Sequence, residues 1–300
     1  MYAIAGATGN TGRVVAEKLL AGGEKVRVIG RETSRLACFV QKGAEAFAAD
    51  ITNAVDLTRA FDGARGAYVL VPPNLASADV RGYQERVTDA LAAALEKTSV
   101  PYVVALSSIG ADKADKTGPV VGLHNLEQKL NGLTGLNALH LRAGYFMENL
   151  LPQVVVIQNF GFVAGPLRAD LRVPMIATSD IGSAAAELLR KLEFSGKQAR
   201  ELLGQRDLTY SEVAPIIGKA IARPNLAYRQ LPAQQLKPAF VQMGMSSNMA
   251  DLLLEMSEAL NSGYMVALEP RSERNTRPTS IEAFVAEEFV PRFQAKGAGA

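Results

Sequence analysis

Cysteine is nearly absent from this 300-residue chain: Cys38 stands alone, so no intrachain disulfide can form and no cysteine-based metal site can be assembled. Histidine is scarce as well, with only His124 and His140, and no metal is expected. An excess of one charge is also lacking. Lys and Arg total 32 against 30 Asp and Glu, a net charge of +2, and the basic residues are scattered. Such a chain has no general attraction for nucleic acid, and none is expected as a direct partner. Long apolar runs are missing too. The most apolar stretch, residues 150–163, is broken by Pro152, Gln153, Gln158, Asn159 and Gly161, so it is too short to span a bilayer and is expected to be buried. From Met1 the chain passes directly into a short apolar run, without the basic and long apolar segments of a signal peptide. A soluble, cytoplasmic protein is the expectation.

What the chain does have is alternation. Apolar runs at 2–5, 25–29, 44–48, 66–71, 102–106 and 137–142 read as strands. Helical patterns at 11–21, 33–42, 54–61, 78–97 and 123–133 separate them. Strands alternating with helices make a parallel sheet, and this order suits an α/β, Rossmann-type doubly wound sheet. The alternation stops after Arg142. The organisation expected is therefore a nucleotide-binding unit at 1–149, with 174–193 returning to it, and a smaller mixed α/β unit for substrate or partner at 150–300. Later helix starts are marked by Asp180 before 181–192, by a capping box of Thr209 and Glu212, and by a second box of Thr279 and Glu282. The charged, proline-flanked stretch 270–278 reads as an exposed connection, and the tail 296–300 is expected to fray.

The sharpest motif is GATGNTG at residues 6–12, a G-x-x-G-x-x-G loop between the first strand and the first helix. Glycines at Gly6, Gly9 and Gly12 let the backbone turn sharply, approach a pyrophosphate and pack the helix on the sheet. Amides at the helix start then face the phosphates, and Thr8, Asn10 and Thr11 can add hydrogen bonds. A glycine triplet alone matches many turns, but the strand-loop-helix setting makes this one a dinucleotide site. The second strand ends in Val28-Ile29-Gly30-Arg31, without the acidic residue that selects NAD. Arg31 and Arg35 can instead pair with a 2′-phosphate, which favours NADP(H) over NAD(H). The other reading leaves both arginines solvated and gives the ribose hydroxyl to Glu32. Asp50, followed by Ile51, is placed for the adenine, or serves only as a loop cap. The Val71-Pro72-Pro73 loop after the fourth strand is placed beside the cofactor, although two prolines also make a merely stiff loop.

These residues resemble the short-chain dehydrogenase/reductase superfamily, in its atypical NmrA-like branch, which includes NADPH-dependent quinone reductases. Besides the glycine loop, similar segments are Ser107-Ser-Ile-Gly110, Gly144-Tyr-Phe-Met-Glu-Asn149, residues 173–182 and residues 202–209. The resemblance implies a Rossmann domain, a small C-terminal domain and a nicotinamide cleft between them. It also implies two functions found in the branch: reductase, or dinucleotide-sensing regulator with a protein partner.

The Tyr-x-x-x-Lys pair usual in the superfamily is missing. His124 stands where the tyrosine would be and Gln128 where the lysine would be; Lys129 lies five residues on, about 140° around the helix. Quinone reductases resembling this chain carry a similar His and Lys arrangement. A quinone oxygen can take its proton from solvent, His124 or Tyr145, so hydride transfer does not need the tyrosine. His124 and Tyr145 are the catalytic candidates, Lys129 and Ser107 cofactor contacts, and Ser108, Phe146 and Asn149 substrate contacts. Against this, His124 also reads as a helix-start residue bonded to backbone or water, and Phe146 as ordinary core. The expected function is an NADPH-dependent oxidoreductase acting on a quinone or similar planar carbonyl acceptor, with the sensing regulator as the alternative. Nothing in the sequence indicates an oligomeric state.

Overall fold

The computed structural model describes residues 1–297. Positions 298–300 of the tail expected to fray lie outside the described residues.

A seven-stranded sheet organises the chain, in the order β10-β6-β5-β4-β1-β2-β3. In chain order the first half holds β1 (Tyr2–Ala5), α1 (Asn10–Ala21), β2 (Val26–Gly30), α2 (Ala37–Val40), β3 (Glu45–Ala48), α3 (Ala54–Phe61), β4 (Gly66–Val69), α4 (Val80–Thr98), β5 (Tyr102–Ser108), α5 (Val121–Gly132) and β6 (Asn137–Ala143). Next come β7 (Tyr145–Phe146), α6 (Gln153–Phe160), β8 (Val163–Gly165), β9 (Val173–Ile176), α7 (Thr178–Lys191) and β10 (Lys197–Leu202). The remainder holds β11 (Asp207–Leu208), α8 (Tyr210–Ala220), β12 (Tyr228–Gln230), α9 (Ala233–Gln242), α10 (Ser247–Asn261), α11 (Ile281–Phe284) and α12 (Val290–Gly297). All pairings in the large sheet are parallel, and the strand order reverses between β1 and β4. That reversal is the switch point at which open α/β sheets bind ligands.

Each face of the sheet carries its own core. Tyr2, Ile4, Val28 and Tyr68 pack with Val15 and Leu19 of α1 and Ile181 and Leu189 of α7. Ala3, Val69, Val103 and Ala105 pack on the other side with Leu57 and Phe61 of α3, Val87 and Leu91 of α4 and Leu126 of α5. These side chains are buried, and each large one contributes roughly 1.5–3 kcal/mol of transfer free energy. α1 and α7 approach closely because Gly182 presents no Cβ, which would otherwise sit 2.7 Å from the Thr11 carbonyl oxygen.

The smaller core joins Met147, Val163, Val173, Leu208, Val213, Phe284 and Phe289 beneath two small sheets, β11-β9-β7 and β12-β8. β10 belongs to the large sheet beside β6, beyond the segment 174–193 that the sequence marks as returning.

Several local expectations are corrected. Residues 33–42 form a 3-10 turn (Thr33–Leu36) followed by the short α2, not one helix, because the chain turns into Gly43 at φ +93°. In 150–163 only one face of α6 is buried, and Phe160 is 67% exposed. Thr209 and Glu212 do form a capping box. At 279–282, however, Ser280 is the cap, because the Thr279 amide is already given to Asp180. Residues 270–278 are not a free connection: Asn275 is fully buried, and Leu203 exchanges backbone bonds with Asn275 and Arg277 along the outer edge of β10.

Candidate active site

The C-terminal ends of six parallel strands converge on one edge of the large sheet. There β1 delivers the glycine loop, β2 Arg31, β3 Asp50, β4 Val71 to Pro73, β5 Ser107 and Ser108, and β6 the turn into Tyr145. The loop is built tightly. Gly6 has φ +67° and its carbonyl accepts the Gly9 amide at 2.9 Å. A Cβ on Gly12 would lie 2.3 Å from that same carbonyl oxygen. α1 starts at Asn10 with Gly9 as its cap and no side chain bonding its first amides. The amides of Asn10, Thr11 and Gly12, which have no partner inside the helix, are therefore open to an anion. A dinucleotide pyrophosphate fits this cradle.

The neighbouring residues divide into those open to a cofactor and those already engaged. Thr8 and Asn10 are exposed, whereas the Thr11 hydroxyl is turned inward and accepts a bond from the Tyr68 phenol at 2.9 Å. Arg31 and Arg35 are exposed and make no side-chain hydrogen bond or ion pair among the described residues. Asp50 caps its own turn: the Thr52 amide and hydroxyl donate to it at 2.9 and 2.8 Å, and these bonds, with a smaller pull from Arg31, hold its carboxyl below the usual range. Ile51 and Val71 pack against the helix-side core, while Pro72 is half-buried and Pro73 exposed. Lys129 is drawn to Asp89 on α4 in an ion pair across the two helices.

His124 is half-buried on the first turn of α5, and its Nδ1 lies 2.9 Å from the Ala111 carbonyl oxygen. A carbonyl only accepts, so Nδ1 carries the proton and Nε2 is left with the free lone pair. His140 is structural: it is buried, bonds Asn131 at 2.8 Å through Nε2, and burial lowers its pKa.

Ser107 is 2% exposed and donates to Glu127 at 2.5 Å; Glu127 in turn accepts two bonds from Arg142 at 3.0 and 2.6 Å. This buried cluster ties the ends of β5 and β6 to α5, and no local pattern announces it. Ser108 is half-buried and donates to the Ile109 carbonyl. Helix α10 was also unforeseen. It packs through Met249 and Leu252 on Val80 at the start of α4, and through Ala259 beside Ala111, Val120 and Met265, so that it roofs the loops after β4 and β5.

Beyond β6, Phe146 packs against the large-sheet core. The Tyr145 hydroxyl meets the Tyr210 hydroxyl at 3.0 Å, and Asn149 is exposed. Tyr210 stacks on Tyr228 with ring centroids 4.6 Å apart. Burial raises the pKa of all three phenols above the ordinary 10. Once unfolded, these groups lose their protons more readily than in the fold. Their contribution to stability is complete below about pH 10 and is lost as pH rises above it. Tyr210→Phe is expected to flatten this alkaline loss while costing about 1 kcal/mol at neutral pH. Denaturant midpoints measured across the alkaline range check this; an unchanged slope contradicts the burial of these phenols.

A doubly wound parallel sheet with a glycine cradle at its switch point defines a dinucleotide-binding protein of the NAD(P)-binding Rossmann type. The chain belongs to the NmrA-like family, whose model matches residues 2–285. It is 25% identical over 300 residues to an NAD(P)H azoreductase of Xenophilus azovorans, covering 98% of this chain and 100% of the relative. It is also 25% identical over 269 residues to quinone oxidoreductase 2 of Escherichia coli strain K12, covering 88% and 89%. Among solved structures, the NADPH complex of the E. coli NADPH-dependent quinone oxidoreductase QOR2 superposes with a TM-score of 0.81 at 21% identity, over 96% of this chain and 100% of that one. Among the described residues, no helix is long and apolar enough to cross a membrane and no cluster of metal-binding side chains occurs.

Proposed function

We propose that the chain is an NADPH-dependent oxidoreductase that reduces a quinone or a similar planar carbonyl acceptor. The observation that carries this reading is His124, tethered through Nδ1 to Ala111 with Nε2 free, at the edge of the sheet where the glycine cradle opens. Its relatives' names, an NAD(P)H azoreductase and a quinone oxidoreductase, support it.

The residues divide the work. The first-turn amides of α1 hold the pyrophosphate, and Arg31 with Arg35 neutralises a 2′-phosphate. Bound NADPH supplies the hydride. The acceptor oxygen then needs a proton, which the imidazolium form of His124 donates from Nε2, while the Ala111 carbonyl keeps the ring from rotating away. Tyr145 offers a second hydroxyl beyond the end of β6, held by Tyr210. Phe146 and Asn149, one and four residues further on, are the acceptor contacts in this reading, and α10 packs over the loops after β4 and β5. Lys129 reaches a cofactor ribose only by leaving Asp89.

Steady-state NADPH oxidation with a panel of benzoquinones and naphthoquinones tests the reading. Turnover stoichiometric with quinone reduction is expected. Arg31→Ala should raise the KM for NADPH about 10- to 100-fold, the worth of charge-assisted hydrogen bonds, and leave that for NADH unchanged. Tight NADPH binding without oxidation of any acceptor would overturn the enzyme reading in favour of a dinucleotide sensor. An unchanged preference in Arg31→Ala would overturn the 2′-phosphate assignment.

A further inference from the structure

The loop between β5 and α5 carries the Ala111 carbonyl that bonds His124, and its backbone is unusual. Gly110, Lys116 and Gly118 all have positive φ, at +89°, +57° and +59°. The amides of Ala111 and Lys113 donate to the Ser108 and Gly110 carbonyls, each at 3.1 Å, so two tight turns follow one another. A left-handed lysine in such a loop persists only where the surrounding structure holds it.

The turn that follows α10 supplies that hold. Met265 is buried with Ala111, Val120 and Ala259, and it lies directly over Gly110: a Cβ there would stand 2.7 Å from Met265 Cε and 2.8 Å from its Cγ. One residue earlier, the Tyr264 hydroxyl donates to Asp115 at 3.0 Å, and Lys113 Nζ lies 5.6 Å from the centre of the Tyr264 ring. The turn is itself fixed on both sides. The Met265 amide donates to the Ala259 carbonyl of α10 at 2.9 Å, and the buried Glu201 of β10 accepts the Leu268 and Glu269 amides, each at 2.8 Å. Contacts therefore run without a break from the edge strand of the sheet to Ala111.

We propose that Met265, seated by Tyr264 and the Glu201 anchor, is a positioning residue for His124: it fixes Gly110 and Ala111, so that the Ala111 carbonyl meets Nδ1 and the ring keeps its Nδ1–H tautomer. Which nitrogen of a neutral histidine carries the proton is set by the bond the ring makes. In the oxidoreductase reading, on which this role rests, the proton leaves from Nε2 and the Nδ1–H form is what remains. The bond to Ala111 holds the ring both before and after that transfer, because Nδ1 is a donor in each form.

Nitrogen-15 NMR of the imidazoles tests this. The chain has two histidines, and loss of one set of signals in His124→Gln identifies those of His124. Well above neutral pH, where the ring is uncharged, the wild type should show His124 as the Nδ1–H tautomer. Met265→Ala should cut the ratio of Nδ1–H to Nε2–H about fivefold, the worth of one hydrogen bond, and Met265→Leu, close in volume, should restore it. Met249→Ala is the control: Met249 is also buried, but it packs on Val80 at the other end of α10, so it should cost stability and leave the tautomer unchanged. If Met265→Ala folds poorly, Tyr264→Phe removes one bond from an exposed side chain and should shift the ratio the same way. In quinone turnover, Met265→Ala should lower kcat about fivefold and leave the KM for NADPH unchanged. The spectra need no turnover, so a wild type that reduces no quinone sinks the oxidoreductase reading while the tautomer still decides the role of Met265. An Nε2–H tautomer in the wild type, an unchanged ratio in Met265→Ala, or an equal shift in Met249→Ala would overturn the proposal.

Discussion

Replacing Gly12 with alanine is expected to weaken NADPH binding at least 100-fold, about 2.7 kcal/mol. The new Cβ would lie 2.3 Å from the Gly6 carbonyl oxygen and 2.7 Å from its carbon, and both are backbone atoms that cannot rotate aside. The first turn of α1 must then move away from β1, carrying with it the amides of Asn10, Thr11 and Gly12. Gly9→Ala makes an informative partner. Its Cβ would stand 3.3 Å from the Gly6 oxygen, and Gly9 has φ −88°, which alanine adopts readily. That variant should fold almost as well as the wild type, whereas Gly12→Ala should also lose stability. Calorimetric titration with NADPH, together with thermal unfolding, separates the two. NADPH affinity within about threefold of wild type in Gly12→Ala would show that the cradle is not the binding site.

The largest loss of stability is expected from Glu127→Ala, roughly 3–5 kcal/mol and a fall in Tm on the order of 10 °C. Glu127 is 2% exposed and receives Ser107 and both donors of Arg142. Its truncation leaves a guanidinium buried without its counter-charge, and the Ser107 hydroxyl without an acceptor. The loss is therefore the cost of an orphaned charge, not the net value of the pair. Removing both partners, as in Glu127→Leu/Arg142→Met, should recover much of the stability. Denaturant unfolding of the single and double variants measures the difference. A loss below about 1 kcal/mol for Glu127→Ala would place the pair with ordinary exposed ion pairs and contradict its burial.

The first six strands were legible because each is an apolar run that enters or leaves the sheet near glycine or proline; five of them lie inside the sheet, where both faces are covered, and only β3 lies at its edge. β10 was missed for the opposite reason. Its sequence, KQAREL, holds four polar or charged residues against two apolar ones because it lies at the sheet edge, and it shows no apolar run. Helix α10 carried readable signals, with Ser246 at its cap and Met249, Leu252, Leu253 and Met256 on one face, but its partners lie after β4 and β5 and only the fold brings them together. The strand, glycine turn and helix start of the cradle were legible, whereas the bond between Thr11 and Tyr68 depends on a strand 57 residues away. The Ser107, Glu127 and Arg142 cluster had no local signature at all, since each member comes from a different element. His124 and Tyr145 are candidates by position, and the bonds that hold them, to Ala111 and Tyr210, are tertiary.

The most direct test of a dinucleotide held in the β1 loop is a crystal structure of the NADPH complex. The pyrophosphate should lie within hydrogen-bonding distance of the Asn10 to Gly12 amides, the 2′-phosphate against Arg31, and the nicotinamide toward Nε2 of His124. A pyrophosphate bound elsewhere, with the first turn of α1 facing only solvent, would contradict the account.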